Sequence, residues 1–363
     1  MRGTNRVAVS IVGLALVLAA CNTNGDAPED EPGTAEESVT DVDEDGQDED
    51  VDAVDEDVAA EAPECGTYSL VVLDDDSHRM LTYGIENGEV DLGGFDGIDI
   101  DYVQIPALVA ATGTDQYDVV QTSLPGVVFA NAAGADTRII AAALAHTGGG
   151  MKVFSRTDSG IDDAADLVGA TIGISSFGST AALQTQIAMI EAHGIDARFE
   201  EGELDWVELD PPTLLNALQT GQVDAAALWH TTGWMALNDD ELQVVIETDE
   251  DYREATGEWP VGSAMTVLGE KADGEPECVA EFQRILEESE AYAADNVAEL
   301  AEVIAEQTGQ PAEFIEYWWG SGAYEMGATL QEPWSARAEA FYEAAVRNEM
   351  IPPASLDDFA FQG

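Results

Sequence analysis

The chain is 363 residues long and 45% hydrophobic, enough to bury one large domain or two medium lobes. Twelve basic residues against 74 acidic ones leave a formal charge of −62, and that sign excludes nucleic acid and anionic membrane surfaces as partners.

Arg2 and Arg6 precede an apolar run over 7–20, shorter than the ~20 helical residues needed to span a bilayer. A basic start, a short apolar core and small residues at its end predict a cleaved export signal over 1–20. Its ending, Leu18-Ala19-Ala20-Cys21, resembles a bacterial lipobox, which implies that Cys21 becomes the mature N-terminus and carries a lipid into the membrane. The alternative is an ordinary secretory peptide with an incidental cysteine. The stretch 22–64 then holds 19 acidic residues and no basic one. Few apolar residues, no aromatic and scattered Gly and Pro predict a disordered tether over 21–64, with a span of roughly 35–40 Å. Within it DVDEDGQDED is a weak echo of a cation-binding loop and is expected to be solvated polyanion.

The other 55 acidic residues, against ten basic ones, still give 65–363 a charge of about −45. Acid spread over the whole folded part, with Lys152 and Lys271 its only lysines, predicts adaptation to high salt. There a screening length of ~3 Å at 1 M removes the self-repulsion. If Cys21 is acylated, Cys65 and Cys278 remain, and an exported chain permits a disulfide between them; two buried thiols are the alternative.

From Thr67 onward apolar strand-like runs alternate with helical patterns, which predicts an α/β fold. Strands are expected at 68–73, 98–103, 117–120 and 138–145, with helices at 77–87, 106–113 and 124–134 between them. TGGGMKVFSR over 147–156 then suggests a crossing between lobes. The pattern begins again with a strand at 171–175, helices at 178–194 and 212–220, a strand at 223–229, a helix through Trp234 and a strand at 242–247. A return strand at 261–269 and helices at 277–307, 311–319 and 332–349 complete the chain.

The restart can be checked by counting. At an offset of 106 residues Pro106 meets Pro212, Leu108 meets Leu214, Ala111 meets Ala217, Thr114 meets Thr220, Gln116 meets Gln222 and Asp118 meets Asp224. PALVAATGTDQYDVV and PTLLNALQTGQVDAA thus read as one helix–turn–strand unit written twice. The expected fold is two similar doubly wound lobes joined by two hinge strands, with a cleft between them.

In open α/β sheets ligands sit beyond the carboxyl ends of the strands, so position alone selects the candidate loops. They are 74–78, with Ser77 its candidate contact, then 121–124, 176–180 and 230–232. Ser176, Ser179 and Thr180 open a helix, where unpaired N–H groups and hydroxyls suit a polar or anionic group; a plain N-cap explains them equally well. Thr122 and Ser123, with Gln121, are expected on the opposing wall. Trp229 offers a stacking face or packs in the core; His230 bonds the ligand or lies on the surface; Phe177 closes the pocket or packs. The acidic run 74–76 is expected to be an ordinary acid-rich loop. No metal-spaced histidine pair, nucleophile elbow or phosphate-binding glycine loop is present, so neither catalytic nor metal-ligating residues, and no cofactor, are expected.

DLVGATIGISSFGSTAALQTQIAMIEAHGID and PPTLLNALQTGQVDAAALWHTTGW, with the lipobox, resemble solute-binding proteins of bacterial ABC importers, in particular the nitrate/sulfonate/taurine and thiamine-pyrimidine-precursor group. The resemblance covers about 66–363. It implies a periplasmic-binding-protein type II fold, with lobe I over 66–150 plus 266–363 and lobe II over 151–265. Segments 148–151 and 261–267 would be the hinges. It further implies capture of a small-molecule solute by hinge closure and delivery to permease subunits, by a monomer held outside the cytoplasm on its N-terminal lipid. Its helix-start contact maps onto Ser179 and Thr180, and its first-lobe polar loop onto Thr122 and Ser123. Cys65 and Cys278 map onto the two separated pieces of lobe I. Sulfonate and nitrate binders often place a cation in the cleft; here only Arg79 is placed to serve, which argues against a strongly anionic ligand. A surface sensor or adhesion lipoprotein would tolerate a cleft without convergent polar groups, and a cofactor-biosynthesis enzyme on the same fold would need a catalytic group deep within it.

Overall fold

The computed structural model describes residues 63–321 and 324–363. The expected signal peptide, Cys21 and all but the last two residues of the tether therefore lie outside the described residues. Among the described residues no helix is long and apolar enough to cross a membrane.

The first half alternates strictly: β1 (Gly66–Leu73), α1 (Asp76–Glu86), β2 (Phe95–Val103), α2 (Ile105–Ala111), β3 (Val119–Thr122), α3 (Leu124–Ala132) and β4 (Thr137–His146). The second repeats it: β5 (Met151–Arg156), β6 (Thr171–Ile174), α4 (Thr180–His193), β7 (Asp205–Glu208), α5 (Pro211–Gln219), β8 (Ala225–Trp229), α6 (His230–Leu237) and β9 (Leu242–Ile246). Then follow α7 (Thr248–Thr256), β10 (Val261–Leu268), α8 (Gly269–Gly274), α9 (Pro276–Asp295), α10 (Val297–Thr308), α11 (Ala312–Gly320), β11 (Tyr324–Thr329) and α12 (Trp334–Arg347).

Two sheets result, a six-stranded one in the order β11-β4-β10-β3-β1-β2 and a five-stranded one in the order β9-β5-β8-β6-β7. Strands β2-β1-β3 are parallel, and so are β7-β6-β8; beside each trio runs one reversed strand, β10 in the first sheet and β5 in the second. Each reversed strand lies, in sequence, next to the other sheet's run of strands, so the chain crosses between the lobes at 147–150 and again after β9.

The 106-residue repeat is visible atom by atom. Asp118, just before β3, accepts the backbone N–H of Ser69 on β1 at 2.7 Å; Asp224, just before β8, accepts that of Thr171 on β6 at 2.9 Å. Leu108 and Leu214 are both buried, as are Ala111 and Ala217, because equivalent helices α2 and α5 pack against equivalent strands. β4 is buried over nearly its whole length, as its near-continuous apolar run requires of a strand covered on both faces.

Local pattern misled at several points. DWVE forms β7 although it lacks clean alternation, because β6 supplies a parallel edge for it. TDEDYREAT forms α7 despite its acidity, since Tyr252, Thr248 and Asp249 are buried on one face against α4. YEMGAT forms β11 on the free edge of β4. The helix expected over 277–307 breaks at Asn296 into α9 and α10. β10 belongs to the six-stranded sheet from Val261 onward, paired with Ala145, so the chain rejoins that sheet five residues before the expected boundary at 266.

Cys65 and Cys278 are disulfide-bonded, tying the strand-entry segment before β1 to α9, with Cα atoms 5.5 Å apart.

Candidate functional site

A cavity of about 400 Å³ lies where the carboxyl ends of β1, β3, β4, β6 and β8 face one another across the lobes. Three helices begin on its wall, and their N-caps are Asp75 for α1, Ser123 for α3 and Ser179 for α4. Each cap is a short polar side chain that accepts an otherwise orphaned N–H of the first turn. Asp75 takes His78 N–H at 2.8 Å, Ser123 takes Gly126 N–H at 3.1 Å and Ser179 takes Ala182 N–H at 3.1 Å.

Of the residues expected at the site, Thr122, Ser123, Ser176, Ser179, Thr180 and Trp229 line the cavity, with Gln121 beside them. Two hydrogen bonds join the lobes here: the Ser123 hydroxyl donates to the Gly178 carbonyl at 3.2 Å, and Leu124 N–H donates to Thr180 Oγ1 at 3.2 Å. Thr122 shares a 2.9 Å bond with Thr112, and Gly126 leaves room for both wall hydroxyls, since a Cβ there would lie 2.8 Å from Thr122 Oγ1.

Three expected residues are placed elsewhere. Ser77 is buried behind the wall. Phe177 is 40% exposed and packs edge-on against Phe199 at 4.8 Å instead of closing the pocket. His230 does not line the cavity and is not on the surface; its Nε2 lies 2.6 Å from Asp76 Oδ1, between Phe314 and Trp318. Arg79 pairs with Asp74 at 2.8 Å and covers the Tyr102 ring, so among the described residues no lysine or arginine lines the cavity.

Sequence reasoning missed the histidine–carboxylate groups around the cavity. His78 and Asp75 line it, and the His78 ring bonds Asp75 through Nδ1 at 2.7 Å. Burial pulls the Asp75 carboxyl up, but His78, and to a lesser degree His230, outweigh it and hold the group below its ordinary range. Because an ionised carboxylate only accepts, Nδ1 of His78 carries the proton. His78 Nε2 is buried and has no partner among the described residues. On the opposite side His146, also lining, stacks on Trp229 with ring centroids 5.9 Å apart and sits 3.5 Å from Asp249, whose other oxygen accepts Gly150 and Met151 N–H at 2.8 Å each. Burial lowers the His230 pKa, but Asp76 and then Asp75 outweigh it, and the net direction is upward. One signal was available: Asp75 directly before an amphipathic run is a helix-start residue, which turns the acidic loop toward the strand ends.

Among the described residues no group of three or more His, Cys, Asp or Glu side chains could hold a metal ion. The wall offers one ionised carboxylate, hydroxyls, carboxamides and two imidazoles, against the apolar side chains of Leu73, Ile105, Leu108, Val109, Phe129 and Leu144.

In structure the chain is similar to the periplasmic aliphatic sulphonate-binding protein SsuA of Escherichia coli, at 18% identity over 83% of this chain and 93% of that one, with a TM-score of 0.66. Protein AF1704 of Archaeoglobus fulgidus matches at 20% identity over 78% and 98%, with a TM-score of 0.61. A mutant of the desulfurization enzyme DSZB, in complex with biphenyl-2-sulfinic acid, matches at 16% identity over 81% and 96%, with a TM-score of 0.57. No curated protein matches the sequence. The family model described as NMT1/THI5 like matches residues 95–299, from β2 through the second lobe into α10. By that match, and in keeping with its two-lobed fold, the chain belongs to the NMT1/THI5-like family.

Proposed function

We propose that this chain is the solute-binding component of an ABC importer, closing on a small organic solute and handing it to permease subunits. In this reading the head is exported and held at the membrane by a lipid on Cys21. The observation that carries it is the pair of cross-lobe bonds, Ser123 to Gly178 and Leu124 to Thr180, beside which polar groups from both lobes line one cavity. The likeness to the E. coli periplasmic sulphonate-binding protein supports the role.

Of the solute classes the resemblance implies, the lining fits a nitrogenous ring of the pyrimidine-precursor kind better than a sulfonate, taurine or nitrate. Among the described residues no lysine or arginine faces the cavity, and the chain's own groups occupy the places an anion would take. Glu208 accepts Phe177 N–H at 2.7 Å, Thr180 takes Leu124 N–H, and Pro125 has no N–H to offer.

A calorimetric screen of sulfonates, nitrate, pyrimidines and amines against the purified head tests this. One-to-one binding to a member, with compaction in small-angle scattering, is expected. Thr180→Ala should weaken that binding about tenfold, the value of one buried hydrogen bond. Unchanged affinity would remove the two-lobed clasp.

A second reading, an enzyme on this fold, is favoured by the Asp75–His78 pair on the cavity wall and by the DSZB likeness. Turnover of any ligand found by the screen would replace the first reading.

The charge gives a separate expectation. The melting temperature should rise from dilute buffer to about 1 M salt as screening removes self-repulsion; a flat profile would remove the halophile reading.

A further inference from the structure

The cavity is not confined to the cleft between the lobes. Its inner end is polar and belongs to Asp75, His78 and the strand ends, while an outer arm continues along first-lobe helices α2 and α3. Ile105, Val109 and Phe129 line that arm while being 38%, 67% and 48% exposed. Large apolar side chains left to water on two adjacent helices, and continuous with the cavity, mark a surface that an apolar group covers. Second-lobe residues contribute to the polar end, but α2 and α3 alone carry these three exposed side chains.

The polar end has its own requirement. Asp75 lines the cavity and accepts the His78 backbone N–H and ring Nδ1–H, and its ionised carboxylate oxygens can only accept. A ligand group placed against Asp75 must therefore donate.

We propose that the solute is an amphipathic amine: its N–H-donating nitrogen meets the Asp75 carboxylate at the inner end, and its aliphatic or aryl tail lies along α2 and α3 past Val109 and Phe129. This rests on the solute-binding reading and adds the solute's polarity and direction. An anion fails at the acceptor end, and a short amine leaves the outer arm bare.

Isothermal calorimetry of the purified chain with n-hexylamine, ethylamine and n-hexanesulfonate tests it. Burying four further methylenes should make hexylamine on the order of 100-fold tighter than ethylamine, and hexanesulfonate should give no measurable heat. Val109→Ser with Phe129→Ser, both surface changes, should reduce the hexyl preference to within about tenfold, since most of the methylene contact is lost. Equal affinity for the two amines overturns the tail assignment. Hexanesulfonate binding as tightly as hexylamine overturns the donor head, with no variant needed. Silence from all three overturns the amine assignment, and a solute from the broader screen that still compacts the chain would then leave the binding-protein reading standing.

Discussion

Replacing Asp76 by Asn should lower the unfolding free energy by about 3–5 kcal/mol, the usual cost of removing one partner from a buried ion pair. For a head of this size that is on the order of a 10 °C fall in melting temperature. Asp76 is fully buried in α1, on the six-stranded sheet, and faces the partly buried His230 at the start of α6, on the five-stranded sheet. The pair therefore holds the lobes together as well as stabilising each. His230 has φ = 56°, a left-handed conformation that costs a non-glycine residue about 1–3 kcal/mol and persists only where its surroundings hold it.

The pH dependence follows from the same contact. Asp76 raises the His230 pKa above the ordinary 6.5 despite burial. A histidine whose pKa rises on folding contributes its full stabilisation below 6.5 and loses it as pH climbs through the raised value. Asp75 behaves oppositely: its contribution is present above the ordinary 3.8 and is lost as pH falls through its lowered value. Wild-type stability should thus decline as pH rises from 6.5 through the raised His230 value, and Asp76→Asn should flatten that decline. Urea titrations between acid and alkaline pH measure both; equal pH dependence for the two proteins, with less than about 1 kcal/mol between them, would show that the Asp76–His230 pair does not hold the lobes together.

Opening the Cys65–Cys278 bridge should cost roughly 5 kcal/mol at most, because the closed loop of 213 residues is long and the unfolded chain regains its entropy. The bridge joins the start of β1 to α9, so its loss also frees the chain before β1. Denaturant unfolding with and without reductant, alongside Cys65→Ala with Cys278→Ala, measures this. A loss below about 1 kcal/mol in both would mean that the unfolded chain keeps those segments together.

The duplication was legible because repeated units bury repeated side chains: Leu108 and Leu214, or Asp118 and Asp224, face the same local demand twice. Strand ends followed from alternation, and the loops containing Thr122, Ser123, Ser176, Ser179, Thr180 and Trp229 followed from strand direction. These are properties of short segments. The failures share a different cause. β7 and β11 exist because an edge of β6 or β4 is available, and α7 because its Tyr252 face meets α4.

What the sequence determined by itself is therefore the two-fold α/β plan and the set of loops that face the cleft, since periodicity and chain direction are local. Only the tertiary structure decided what those loops hold. Asp76 with His230, His146 with Asp249, and the apolar arm along α2 and α3 depend on residues brought together from distant parts of the chain, and no spacing records which buried charge will find which partner.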